Sequence, residues 1–202
     1  MSDMNVLGIY TSPRKNGNSD ILLDRALEGA GDAGAVVERV YARDLSMEGC
    51  RECGGCDKTG ECIWKDDMQK VYPLLYKAES IILATPVFFY GVPAQGKALI
   101  DRAQASWSKR MIEKKTKEDR GRYDSGKGYL IAVGATRGEN LFVGIELTAK
   151  YFYDALDMSY EGGIFFRKVE GKGDIKENAE AIEKACALGR KAVSGEAADK
   201  GV

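Results

Sequence analysis

A chain of 202 residues is long enough for one domain that buries its core without disulfide help, and too short for two large ones. Its 30 lysines and arginines face 31 aspartates and glutamates, so the net charge is −1 and no global polycation exists to wrap nucleic acid. Histidine is absent, which removes the Ser-His-Asp triad, the Cys-His dyad and His-ligated zinc or haem chemistry. The longest apolar candidate, residues 81–93, is broken by Thr85, Pro86, Gly91 and Pro93, so no membrane span is expected. The start MSDMNVLGIY lacks a basic segment and a cleavage site, which predicts a cytoplasmic protein.

Short apolar runs alternate with longer amphipathic ones, the pattern of a parallel sheet covered by helices on both faces. Strands are expected over 5–10, 35–42, 80–85, 129–133 and 160–166, and helices over 18–31, 66–77, 93–117, 139–156 and 174–194. Strict alternation fits an α/β, flavodoxin-like, doubly wound, five-stranded parallel sheet of order 2-1-3-4-5, a single domain over 1–202 with a cysteine loop at 46–64 after strand two. Pro73 predicts a kink or split in the second helix. Residues 106–127 carry a local surplus of four positive charges, read as a solvated helix end rather than an anion site.

The first strand runs into TSPRKNGNSD and then an amphipathic helix, so a polar loop lies between a strand's carboxyl end and a helix's amino end. Free amides and the helix dipole attract phosphate there, and Ser12, Arg14, Asn18 and Ser19 supply further donors. Neither GxGxxG nor GxxxxGK[ST] is present, which favours a terminal monoester phosphate such as that of FMN. The alternative is a plain turn capped by Asn18 or Ser19.

CRECGGCDKTGEC places Cys50, Cys53, Cys56 and Cys62 at C-x2-C-x2-C-x5-C spacing. The first three match the opening of a ferredoxin cluster loop, and Cys62 can close the set. A four-cysteine zinc site and a free redox-active thiol cluster are the alternatives. Cys186 lies in an apolar stripe with Ile182, Ala185, Gly189 and Val193 and reads as a buried small hydrophobe.

After the third strand the loop is aromatic. Phe88, Phe89 and Tyr90, between Pro86 and Gly91, either pack on a flat ligand or fill core or a subunit interface. The inferred order puts this loop beside the Ser12–Ser19 loop at the switch-point crevice. The loop after strand four opens beside them, with Ala135, Thr136, Arg137 and Gly138 as candidate cofactor contacts and Arg137 available to offset charge on a reduced cofactor.

Together, SPRKNGNS, CRECGGCDKTGEC followed by KDDM, and TPVFFYGVPAQGKALIDR resemble the iron-sulfur flavoproteins within the NADPH-dependent FMN reductase-like branch of the flavodoxin fold, over roughly 6–164. The resemblance implies FMN held by Ser12, Arg14, Asn16, Asn18 and Ser19 at the phosphate and by Pro86, Val87, Phe88, Phe89, Tyr90 and Gly91 at the ring. It implies a [4Fe-4S] cluster on the four cysteines, a homodimer or homotetramer, and electron exchange with a ferredoxin, NAD(P)H or a quinone. Relatives with similar cysteines act as NAD(P)H-dependent flavin or quinone reductases without a cluster, and a non-catalytic zinc-stabilised binding module is the reading from a different class. With the cysteine loop after the edge strand, nearer the phosphate end of the flavin than its ring, the electron path is expected to cross a subunit interface.

Overall fold

Each of the apolar runs forms a strand of one parallel sheet: β1 (Asn5–Tyr10), β2 (Val36–Tyr41), β3 (Ser80–Pro86), β4 (Gly126–Val133) and β5 (Met158–Phe166), ordered β2-β1-β3-β4-β5. The computed structural model describes residues 4–195; residues 1–3 and 196–202 of the expected domain lie outside the described residues. The central strands are apolar on both faces because helices cover both. Along β1, β3 and β4, Leu7, Ile9, Ile81, Leu83, Leu130 and Ala132 point to one core, and Val6, Tyr10, Ile82, Ala84, Tyr129 and Ile131 to the other.

The first core is closed by helices α2 (Met68–Lys77), α3 (Ala94–Asp101), α4 (Gln104–Glu113) and α6 (Val143–Ala155), which bring in Met68, Val71, Leu99, Ile145 and Phe152. The second is closed by α1 (Asn18–Asp32) and α7 (Ala179–Ser194), through Leu22, Leu23, Leu27, Ala181, Ala185 and Leu188. These two helices touch backbone to backbone. A Cβ on Gly189 would collide with the Ala26 carbonyl oxygen, and one on Gly29 with that of Cys186. Cys186 is buried in this contact, as its apolar stripe predicts.

The helices depart from expectation at four places. The single helix expected over 93–117 is three: α3, α4 and the short α5 (Lys117–Arg120). The break falls at Arg102 and Ala103, where the Arg102 amide is shared between the Ala98 and Leu99 carbonyls and the Ala103 amide bonds Ile100, a tightening that turns the chain. Pro73 does not split α2, because it lies on the exposed side, where water can serve the carbonyl it leaves unpaired. Residues 139–142 form a turn ahead of α6. Asp174–Glu177 is a separate 3-10 turn, and Asn178 then caps α7 by accepting from the Ala181 amide at 3.0 Å.

The basic stretch is not a plainly solvated end. Arg110 is buried and donates to Asp157 at 2.8 Å and Asp154 at 3.2 Å, while Lys114 meets Asp157 at 2.7 Å and Asp124 at 2.8 Å. This knot ties α4 to the turn between α6 and β5.

Candidate functional site

Where β1 ends, Thr11 anchors the next loop to β3, its amide and hydroxyl both donating to the Ala84 carbonyl at 3.0 and 2.9 Å. Ser12 Oγ accepts from the Arg14 amide at 3.1 Å, a local turn that brings the chain round to α1. Asn16 adopts a left-handed φ of 56° and its amide donates to Asp20 at 3.1 Å. Gly17 holds the N-cap position with no side-chain cap, so neither Asn18 nor Ser19 caps the helix and the leading amides of α1 face the loop unanswered. Ser19 Oγ is buried and has no partner among the described residues.

Asn18 is engaged differently from the rest of the loop. Its amide donates to the Gly171 carbonyl at 2.8 Å and its carbonyl accepts from the Gly173 and Ile175 amides at 2.9 and 3.3 Å. That side chain fastens the loop of residues 11–19 to the segment between β5 and α7. Beneath the loop, Arg43 pairs with buried Asp20 at 2.9 Å and donates to the Ser12 carbonyl at 3.1 Å. Burial raises the Asp20 carboxyl above its usual range, with Arg43 pulling the other way. The pairing neutralises a carboxylate that would otherwise repel an anion at the helix start.

Ser12, Pro13, Arg14, Gly17, Asn18 and Ser19 share one cleft of about 500 Å³ with Pro86, Val87, Phe88, Val133, Gly134, Ala135, Val169 and Glu170. The phosphate loop and the start of the aromatic loop thus meet, as the strand order requires. Asn16, Phe89, Tyr90, Gly91, Thr136, Arg137 and Gly138 lie outside that lining. Phe88 and Gly91 exchange two amide–carbonyl bonds of 2.9 Å each, closing a turn in which Phe89 and Tyr90 have φ of 49° and 62°. Two consecutive left-handed non-glycine residues cost about 1–3 kcal/mol each. Phe89 is fully exposed, while Tyr90 Oη lies so near Gly138 that a Cβ there would sit 2.8 Å from it. The loops after β3 and β4 are therefore interlocked. Arg167 completes the lock, donating to the Gly138 and Glu139 carbonyls at 3.3 and 3.1 Å.

Arg43, Asp20, Arg167, Val169 and Glu170 escaped the reading of the sequence. Asp20 adjoins the polar loop and carried a usable signal; the others come from distant segments and carried none.

The four cysteines gather around a second space. Cys50, Cys53, Cys56 and Cys62 all line a cavity of about 310 Å³, with Ile63, Trp64, Arg102, Gln104 and Ala105 among its other walls. Among the described residues, no three Cys, Asp or Glu side chains converge tightly enough to hold a single metal ion. The thiols ring a volume instead. Their sulfurs meet donors: the Glu52 amide at 3.4 Å from Cys50, Ser108 Oγ at 3.4 Å from Cys56 and an Arg102 nitrogen at 3.3 Å from Cys62. The Gly55 amide and then the Trp64 indole hold the Cys53 thiol below its usual range. Gln69 fastens the loop's far end by donating to the Cys62 and Trp64 carbonyls at 3.1 and 2.7 Å. The cleft and this cavity share no lining residue.

A parallel sheet with a phosphate-ready loop and an aromatic loop at its switch point defines a flavin-binding oxidoreductase class. The sequence profile of NADPH-dependent FMN reductase matches residues 4–166, and the chain belongs to this family of flavin-dependent oxidoreductases. Within it, the chain is similar to proteins named iron-sulfur flavoprotein. One from Archaeoglobus fulgidus is 40% identical over 99 residues, 49% of this chain and 45% of the relative, so this chain spans less than half of that protein's length. Iron-sulfur flavoprotein MJ1083 of Methanocaldococcus jannaschii is 30% identical over 196 residues, covering 93% of this chain and 95% of the relative. Among solved structures, a flavone reductase superposes with a TM-score of 0.73 at 20% identity, over 95% of this chain and 62% of that one, a likeness of fold. No helix among the described residues is long and apolar enough to cross a membrane.

Proposed function

We propose that the chain is an FMN-dependent electron-transfer oxidoreductase that couples a flavin in the cleft to a [4Fe-4S] cluster on Cys50, Cys53, Cys56 and Cys62. The observation that carries this reading is the arrangement of the four cysteines around one cavity, with a donor directed at each sulfur. A cuboidal cluster needs thiolates spread over its corners, whereas one zinc ion needs them about 2.3 Å from a common centre. The cleft fits FMN by independent signs: the uncapped start of α1 and the unpartnered Ser19 hydroxyl at its phosphate end, and the apolar wall of Pro86, Val87 and Phe88 at the other.

In this reading the amides of α1, Ser12, Ser19 and Arg14 hold the phosphate, with Asn16 shaping the turn and Asn18 fixing it to the scaffold. Pro86, Val87, Phe88 and Ala135 frame the ring, with Phe89 to Gly91 and Thr136 to Gly138 on the interlocked loops beside it and Arg137 on the exposed loop that would face negative charge. When bound, the flavin supplies two-electron chemistry and the cluster one-electron transfer. NAD(P)H, a quinone or a ferredoxin serves as the exchange partner, in the cytoplasm. In this reading electrons pass between flavin and cluster across a homodimer or homotetramer interface. Exposed Val143, Leu147 and Tyr151 on α6 and Trp107 on α4 support such assembly.

Protein purified without oxygen should release FMN on heating and give roughly four irons and four sulfides per chain. FMN without iron would leave a plain NAD(P)H-dependent FMN or quinone reductase; zinc without sulfide or flavin would leave the binding module.

A further inference from the structure

The cysteine loop has no helix or strand to hold it, yet both of its ends meet one side chain. Arg102 stands at the elbow between α3 and α4 and is 3% exposed. One of its terminal nitrogens donates to the Glu48 carbonyl at 3.0 Å and to Asp66 Oδ2 at 2.6 Å. The other donates to Asp66 Oδ1 at 3.0 Å and to Cys62 Sγ at 3.3 Å. Glu48 precedes the first cysteine of the loop and Asp66 follows the last. The elbow is itself fixed, because Tyr72 Oη donates to the Arg102 carbonyl at 2.9 Å.

The donors on the other sulfurs are a hydroxyl, backbone amides and an indole, all neutral. Arg102 is the one charged donor to a sulfur of this loop among the described residues. A guanidinium keeps its charge at all working pH values and offers a planar two-point fork. Its bidentate Asp66 offsets that charge at a distance, so its influence is concentrated on the sulfur it touches. A fixed cation against a ligand sulfur favours whichever state of the bound group carries more negative charge.

We propose that Arg102 is the positioning residue of the cysteine loop: it clamps both ends, presents Cys62 to the cavity, and raises the reduction potential of the cluster bound there. The potential half rests on the cluster reading above; the clamp half does not. Asp66, as the counter-charge, acts in the opposite sense on the potential.

The test has two arms, with FMN content as the control for folding. In metal-free protein, the backbone amides of residues 48–66 in Arg102→Gln should exchange with deuterium several-fold faster than in wild type, while those of α7 are unchanged; equal exchange in the loop overturns the proposal. In anaerobically iron-loaded protein, a dye-coupled titration should show Arg102→Gln lowering the cluster potential by at least a tenfold change in the reduction equilibrium, roughly 59 mV for one electron. Arg102→Lys should stay near wild type and Asp66→Asn should move upward. A merely structural clamp would shift both charge variants in the same direction or neither, and either result overturns the electrostatic assignment. Wild-type protein that takes up no iron and sulfide would refute the cluster reading instead, with the exchange arm still deciding the clamp.

Discussion

The walls of the cleft come from the segments that follow β1, β3, β4 and β5 and from the start of α1, while those of the cysteine cavity come from residues 45–67, which hold no helix or strand, and from the α3–α4 elbow. In the cleft, backbone ladders set the strand ends, and side chains such as Asn18 fasten the loops that leave them. In the cavity, Arg102, Gln69, Asp66 and Ser108 do what a ladder does elsewhere. A site built on a sheet tolerates loss of one side chain; a site built from side-chain bonds does not, since a loop without its own secondary structure loses its shape with its cross-links.

The largest expected effect sets the two regions apart. Cys56→Ser should abolish iron uptake while FMN binding stays within twofold, measured by metal analysis and flavin fluorescence; joint loss would show that cavity and cleft fold as one unit. Next, Gly189→Ala forces α7 off α1 and should cost about 1–3 kcal/mol of stability, or roughly 2–4 °C of melting temperature per kcal/mol. Because α1 carries the phosphate loop, FMN affinity should fall with it, and the iron content of the surviving fold should not. A smaller change, Ser19→Ala, should weaken FMN by about 1 kcal/mol, near fivefold, in a titration that leaves thermal stability almost untouched.

Acid sharpens the contrast from the other side. Burial works against ionisation of Asp157, yet Lys114 and Arg110 hold its carboxyl below the usual range. A carboxyl depressed in the fold contributes stability above its unfolded value of about 3.9, and that contribution is lost as pH falls through the lower folded value. Asp157→Asn should therefore melt earlier than wild type at pH 7, with the gap closing towards pH 3. Since Arg110 lies on α4 and Lys114 just past its end, and Ser108 of the same helix donates to Cys56, the cysteine cavity should respond before FMN binding does.

Most of the sheet was legible because buried parallel strands are written as bare apolar runs, and Leu7, Ile81 and Leu130 announce themselves without context. The strand order followed from alternation and the doubly wound rule. The helix break at Arg102 was not legible: Asp101, Arg102, Ala103 and Gln104 include no glycine or proline, and the turn is imposed by Tyr72 and the cysteine loop from outside. Gly189 looked like one more small residue in an apolar stripe, since nothing local reveals that its missing Cβ lets two helices meet. Asn18 read as a phosphate donor, and its bonds to Gly171 and Gly173 were not legible because those partners lie more than a hundred residues away.

The α1–α7 contact also has a consequence in time. The helix that begins at the loop of residues 11–19 is synthesised well before its backbone-to-backbone partner, which is the last helix among the described residues. Until Ser194 has been made, the second core lies open along α1, and Asn18 has no Gly171 or Gly173 to grip until those residues follow β5. The cofactor cleft is thus completed late although its loop is made early, a long-range closure of the kind that slows folding. A ribosome-bound chain halted after β5 should present the loop of residues 11–19 without the FMN affinity of the finished protein.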